Sequence, residues 1–231
     1  MVLDVGCGTG ELTRRLASGI PGPVSILGID SDKDSIDEAR RYTDHRGVRY
    51  RVLDLHDLTS SEGRFDVVSM GNTLHHLGDP VAALDRMRSL KSSDGVGLIV
   101  ETFSDGLSAP QENTRDIHHF KARIDSLNGR IHRQTYAQDE VFALLHTAGC
   151  EILEWCRDED HHDDQDDQLD AQPLDDTGLI LAEAAEFLDD YLEFARGMES
   201  YPELSVQAHQ LKKRIAATGL AEPPTLVILW R

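Results

Sequence analysis

The sequence predicts an α/β fold, doubly wound about a mostly parallel sheet, and three observations predict it. A short apolar run from Val2 to Val5 meets glycines at alternate positions, Gly6, Gly8 and Gly10, before a helix-like segment from Glu11 to Ala17. Further apolar runs follow in order at 24–29, 48–53, 65–70 and 97–103. Between them lie turn signals such as Gly19, Pro21, Gly22 and Pro23, and segments of helical period. Five such strand–helix units in sequence imply parallel strands joined by crossover helices. With 231 residues, one domain with insertions is the simplest organisation.

Composition restricts the partners. The net charge is −19, from 42 acidic and 23 basic residues, and the only lysines are Lys33, Lys91, Lys121, Lys212 and Lys213. Such a surface repels phosphate backbones, so no nucleic-acid partner is expected, although adaptation to salt would leave the same acidic excess. Cys7, Cys150 and Cys156 make an odd count without C-x-x-C spacing, which fits a reduced, cytoplasmic protein and no metal site. No apolar run reaches membrane-spanning length and no charged leader precedes an apolar stretch, so neither a membrane span nor secretion is expected.

The glycine turn is the first chemical feature. Glycines let a ligand approach the backbone closely, and the following helix N-terminus offers unpaired N–H groups and partial positive charge. A dinucleotide fingerprint would place its third glycine at position 11, which holds Glu11; here the third glycine is Gly10. The resulting D-x-G-x-G-x-G pattern, Asp4 to Gly10, closely resembles motif I of the class I S-adenosylmethionine-dependent methyltransferases. The resemblance implies that Asp4, Gly6, Cys7, Gly8, Thr9 and Gly10 hold the methionine end of that cofactor.

The remaining elements extend the resemblance. The second apolar run ends at Asp30, about twenty residues beyond Gly10, where doubly wound nucleotide-binding folds place an acidic residue on ribose hydroxyls. Asp30 could instead cap the helix expected over 31–41; Ser31 could take the cap and free it, and Ser31 joins the cofactor candidates. The third run alternates Val48, Tyr50 and Val52 with Arg49 and Arg51, a half-exposed strand ending at Asp54 and Leu55. The resemblance gives Asp54 the adenine amino group and sets Leu55 against the ring; Asp57 is a weaker candidate. Phe65 to Pro80 is similar to the family's strand-four stretch, with Gly71 and Asn72 expected beside the transferred methyl. Adjacent His75 and His76 would point about 100° apart on a helix, so structural or capping roles are expected for them. Val81, Leu84, Met87 and Leu90 form one helical stripe, and Ser92 to Gly95 turn the chain into strand five.

Two segments depart from a minimal fold. Residues 104–138 form a helical insertion, with Ile117, Phe120, Ile124 and Leu127 on one face and Asn128-Gly129 at its end. An insertion at this point lies near the carboxyl ends of the strands, where ligands bind. His118, His119 and His132 are therefore the candidate catalytic residues, to contact the acceptor, act as its base or bind metal; solvated surface residues would show the same pattern. A helix over 139–148 and a strand over 151–156 follow. Residues 158–222 then form a second insertion: a dense acidic run from Asp158 to Asp167 and two helices. That run lacks the calcium loop's turn glycine and reads as a hydrated loop. The helices carry stripes at Leu181, Ala184, Leu188, Leu192 and Ala195, and at Leu204, Ala208, Leu211 and Ile215. They either cover an acceptor pocket or mediate a homodimer. Thr225 to Trp230 is the last strand.

The resemblance implies a Rossmann-like sheet of seven strands with an antiparallel last strand, in a single methyltransferase domain over 1–231. It also implies S-adenosyl-L-methionine as cofactor and a small-molecule acceptor, the acidic balance and Met70-Gly71-Asn72-Thr73 disfavouring nucleic-acid amines. A regulatory protein that binds the cofactor without transferring it is the alternative, and a nicotinamide dehydrogenase is disfavoured by Glu11. Family members of this type carry an N-terminal helical cover; here strand one starts at Val2, so either the start is misassigned or another segment supplies the cover.

Overall fold

The computed structural model describes residues 1–59, 63–159 and 177–231. Seven strands form one sheet: β1 (Val2–Val5), β2 (Ile26–Asp30), β3 (Val48–Val52), β4 (Phe65–Gly71), β5 (Lys91–Thr102), β6 (Ile152–Asp158) and β7 (Thr225–Trp230). Their order is β3-β2-β1-β4-β5-β7-β6. The helices are α1 (Glu11–Gly19), α2 (Lys33–Tyr42), α3 (Pro80–Leu90), α4 (Ala109–Leu127), α5 (Gln138–Thr147), α6 (Thr177–Glu193) and α7 (Tyr201–Thr218). The chain divides into two compact units, 1–101 with 139–157 and 226–231, and 102–138 with 158–225.

In the first unit β1 pairs in parallel with both β2 and β4, so the chain winds outward to β3 and returns to the other side of β1. That reversal is the topological switch point, where doubly wound sheets bind ligands. All four β1 residues are buried, as expected of a central parallel strand covered on both faces. The expected antiparallel end of the sheet is present. Glu151 and Arg231, flanking β6 and β7, exchange both backbone N–H···O bonds at 2.8 and 2.9 Å, the reciprocal pattern of antiparallel neighbours.

Local chemistry sets the helix starts. Asp32, and not Ser31 or Asp30, caps α2, accepting from the Ser35 N–H at 2.8 Å. Asp79 caps α3 through the Ala82 N–H at 2.9 Å, and Pro80, which has no N–H to satisfy, occupies the first helical position. Strand five begins earlier than the turn signal at 92–95 suggests. Phe65 already pairs with Lys91, and the register then shifts so that Val67 meets Val96. The turn-forming residues are thus absorbed as an irregularity inside the strand, since β4 offers partners on both sides of it.

The second unit has its own core. Phe120 and Ile124 of α4 pack with Leu188 and Leu192 of α6 and with Leu204, Ala208, Leu211 and Ile215 of α7. The expected stripes of the two insertions therefore bury one another. Asn113 donates to the Thr218 hydroxyl and the Gly219 carbonyl at 2.7 and 2.8 Å, tying the start of α4 to the glycine that ends α7. Most of the acidic run, 160–167, lies outside the described residues. Among the described residues no helix is long and apolar enough to cross a membrane.

One contact in the first unit has a measurable consequence. A Cβ built on Gly97 of β5 would lie 1.8 Å from the indole of Trp230, which is fully buried. Gly97→Ala is expected to lower unfolding stability by about 1–3 kcal/mol through overpacking. Denaturant titration checks this, and an unchanged midpoint would separate the indole from Gly97.

Candidate functional site

The loop after β1 is built from left-handed residues. Gly6, Gly8 and Gly10 have φ of 64°, 50° and 86°, values that side chains with a Cβ rarely adopt. Close neighbours add to the requirement: a Cβ on Gly6 would lie 2.4 Å from Thr73 Cγ2, and one on Gly10 would lie 2.4 Å from the Tyr50 hydroxyl. Gly8 faces open space, with nothing within 4 Å of such a Cβ. The middle of the turn thus has room for a ligand while its two ends are packed.

Two carboxylates hold this loop. Asp30, at the end of β2, accepts from the Gly8 N–H at 2.9 Å and from the Asp32 N–H at 2.8 Å. Asp4 is fully buried and accepts from the Thr13 hydroxyl of α1 at 2.5 Å and the Ser69 hydroxyl of β4 at 2.8 Å. Its carboxyl is raised above the ordinary range, first by burial, against the lowering effect of those hydroxyls. Asp4 therefore joins α1 to the sheet beside the turn. Burial, with the nearby Asp4 and Asp30 charges, also pushes the Cys7 thiol up, keeping it protonated. The Cys7 side chain packs with Ile36, Ala39 and Tyr50, while its backbone N–H and C=O are held by the Ile29 carbonyl and the Gly10 N–H.

The other candidates occupy neighbouring strand ends. Asp54 follows β3 and accepts from the His56 N–H at 2.8 Å, opening a 3₁₀ turn over Leu55–Asp57 in which Leu55 is buried. Asn72 follows β4 with φ 44°, the one non-glycine in the left-handed region among the described residues. Its N–H donates to the Val100 carbonyl at 2.8 Å. Left-handed residues of this kind cluster at functional sites, and asparagine tolerates the conformation better than most. Thr73 then turns its hydroxyl toward the Gly71 and Gly6 carbonyls, at 2.7 and 3.1 Å. His75 is buried, with Nδ1 2.5 Å from Glu101.

In the second unit, His132 is buried with Nδ1 2.8 Å from Asp125 and Nε2 3.2 Å from Nε2 of His118. The histidines are thus two members of an Asp–His–His chain. His119 differs: its Nε2 accepts from the Thr135 N–H at 3.2 Å and lies 2.8 Å from the Thr135 hydroxyl, which pins the ring. The sequence reading missed Asp125, Thr73 and Glu101. Glu101 carried a usable signal, a carboxylate closing an otherwise apolar strand; Asp125 and Thr73 carried none.

Residues 2–95 match the methyltransferase domain family. Over 102 residues the chain is 30% identical to a ubiquinone biosynthesis O-methyltransferase of Actinobacillus pleuropneumoniae, covering 41% of this chain and 42% of that protein. An uncharacterized transposon protein of Streptomyces fradiae is 32% identical over 94 residues, 40% of this chain and 27% of its own length. The matched region is thus under half the length of these relatives. Among solved structures, a putative methyltransferase from Bacillus halodurans aligns over 100% of this chain and 91% of its own, at 15% identity and TM-score 0.58. A methyltransferase from Thiobacillus denitrificans, in complex with S-adenosylhomocysteine, aligns over 100% and 84%, at 16% identity and TM-score 0.54. The likeness to these structures establishes a methyltransferase-type α/β fold. The match to the methyltransferase domain family covers residues 2–95, under half of this chain.

The raised carboxyl of Asp4 makes a pH prediction. A group that holds its proton more tightly in the folded chain than in the unfolded one costs stability when ionised. That cost is present above the folded value and is relieved as pH falls toward the ordinary aspartate range. In Asp4→Asn the amide nitrogen can donate to Ser69, whose own hydrogen turns to the Leu3 carbonyl 3.3 Å away. The stability of Asp4→Asn relative to wild type should therefore decline as pH falls, read by unfolding titrations at several pH values. A difference independent of pH would show that Asp4 does not titrate in this way.

Proposed function

We propose that the chain is an S-adenosylmethionine-dependent methyltransferase acting on a small-molecule acceptor. The observation that carries the reading is the glycine turn at the switch point, open at Gly8 and held from β2 by Asp30. The family match over residues 2–95 and the names of the relatives support it, one of them an O-methyltransferase of ubiquinone biosynthesis. The acidic charge of −19 favours a small acceptor over a nucleic acid.

The residues present fit the cofactor. In this reading the backbone of Gly6, Cys7, Gly8, Thr9 and Gly10 holds the methionine end, with Asp4 positioning the turn from below its surface. Asp30 accepts from ribose hydroxyls, with Ser31 beside it. Asp54 takes the adenine amino group and Leu55 packs on the ring. Gly71 and Asn72 border the reacting centre. The bound cofactor supplies a methyl group already activated on a sulfonium. The protein's own work is to align the acceptor and exclude water, and, for an oxygen or nitrogen acceptor, to remove a proton. We assign that proton to the His118–His132 pair, oriented by Asp125. With Nδ1–H of His132 donated to Asp125, its Nε2 accepts from Nε2–H of His118. Nδ1 of His118 is then the basic atom, from which charge is shared along the chain, the orienter-and-base arrangement found in other acid–base sites. His119 keeps a supporting part through Thr135.

Labelled methyl transfer into fractionated extract, followed by mass analysis of the product, tests the reading directly. Tight binding of S-adenosylmethionine with no transfer to any fraction would favour the regulatory alternative, and preference for NAD over S-adenosylhomocysteine would overturn both. Asp30→Ala is expected to weaken S-adenosylhomocysteine binding by about 1–3 kcal/mol, through loss of charged hydrogen bonds. Unchanged affinity in calorimetry would remove Asp30 from the site. With the acceptor in hand, His132→Gln should slow transfer by about 100-fold or more while cofactor affinity holds; an unchanged rate would leave the Asp125–His132–His118 chain a structural role only.

A further inference from the structure

Glu101 is fully buried near the end of β5 and belongs to none of the proposed cofactor contacts. Its two oxygens are nevertheless committed. Oε2 accepts from the successive backbone N–H groups of Thr73 and Leu74 at 3.1 and 3.4 Å. Oε1 lies 2.5 Å from Nδ1 of His75, itself buried. A single side chain from β5 thus grips three consecutive residues of the segment after β4. The grip starts one residue beyond Asn72, whose left-handed backbone is also tied to β5 through the Val100 carbonyl.

The held residue Thr73 is the one that touches the cofactor turn. Its hydroxyl reaches the Gly6 carbonyl at 3.1 Å, and its methyl fills the space a Cβ on Gly6 would need. Displacement of the Thr73 backbone would therefore be felt at the first glycine and at Asn72 together. Buried N–H groups that lose their acceptor cost more than an exposed pair gains, so this carboxylate has a strong hold on the conformation of the segment.

We propose that Glu101 is a positioning residue for cofactor binding, acting through Thr73 on the glycine turn and fixing His75 as the tautomer protonated at Nδ1. The inference rests on the methyltransferase reading above, because the turn it positions is the proposed cofactor site. Hydrogen-bond chemistry makes it specific. Backbone N–H groups only donate, so whatever occupies position 101 must present an acceptor to Thr73 and Leu74. Glutamine can do so with its oxygen, but its NH₂ then faces His75, whose Nδ1 must become an acceptor. Glu101→Gln is therefore expected to fold and to shift the His75 proton to Nε2.

The test uses the full chain with S-adenosylhomocysteine as probe, in calorimetry, alongside nitrogen NMR of the His75 ring. Glu101→Gln should switch the His75 tautomer and weaken binding by about 5–10-fold, as expected for disturbing one or two buried hydrogen bonds. Thr73→Val should weaken it comparably and Thr73→Ser should restore most of the loss. The Glu101→Gln/Thr73→Val double variant should lose less than the product of the single losses, because both act through one connection. Wild-type affinity in Glu101→Gln, or independent effects of the two substitutions, would overturn the proposal. Should Glu101→Gln fail to fold, Thr73→Val with wild-type affinity would overturn it equally. A wild-type chain that binds no S-adenosylhomocysteine would instead sink the methyltransferase reading, while the tautomer switch would still report the contact between Glu101 and His75.

Discussion

A turn with left-handed residues at positions 6, 8 and 10 cannot continue a hydrogen-bond ladder of its own, so other elements must satisfy and shape it. The first unit meets this need from the two strands that flank β1. The Ile29 carbonyl of β2 accepts from the Cys7 N–H at 3.0 Å, and Asp30, the next residue, accepts from Gly8. The Gly10 N–H returns to the Cys7 carbonyl at 2.8 Å, closing the turn before α1. From the other side, Thr73 after β4 meets the Gly6 carbonyl. The parallel pairing of β1 with both β2 and β4 brings these suppliers to the turn, so the strand order is a condition for the loop's shape.

Much of the first unit was legible because its signals are local. Gly6, Gly8 and Gly10 declare left-handed backbone, Asp30 closes an apolar run at a telling distance, and Phe65 to Met70 is apolar enough to fix β4. The cap on α2 was misplaced by one or two positions, because Asp30, Ser31 and Asp32 are all competent caps. Only backbone geometry selects Asp32, leaving Asp30 to the turn. Strand five was shortened because Ser92 to Gly95 carry turn chemistry that tertiary pairing overrides. The network of Glu101, Thr73 and His75 could not be read at all as a network. Its members are 26 and 28 residues apart in sequence and meet only because β4 and β5 are neighbours.

Buried carboxylates recur in the first unit, and each does a different thing. Asp4 satisfies two hydroxyls and joins α1 to β4, whereas Glu101 satisfies two backbone N–H groups and an imidazole. Neither has an arginine or lysine partner among the hydrogen bonds that hold it. Such groups cost desolvation and are retained where directional acceptors are required. Asp4 spends its acceptors on a helix and a strand that flank the glycine turn, and Glu101 on the three residues that follow Asn72.

The second unit follows a different logic. Its segments, 102–138 and 158–225, lie beyond the family match at 2–95, and neither could bury its apolar stripe alone. Helices of this length are marginal in water without tertiary packing, so α4 depends on α6 and α7, and they on it. The Asp125–His132–His118 chain sits on α4 and the segment just after it. A substitution that loosens α6 or α7 therefore reaches those histidines through the shared core at Phe120 and Ile124. On the proposed division of labour, the first unit binds a common cofactor with family-wide chemistry, and acceptor chemistry can diverge in the second. On that reading the family match at 2–95 lies within the first unit, and the relatives' acceptors do not transfer to this chain by similarity alone.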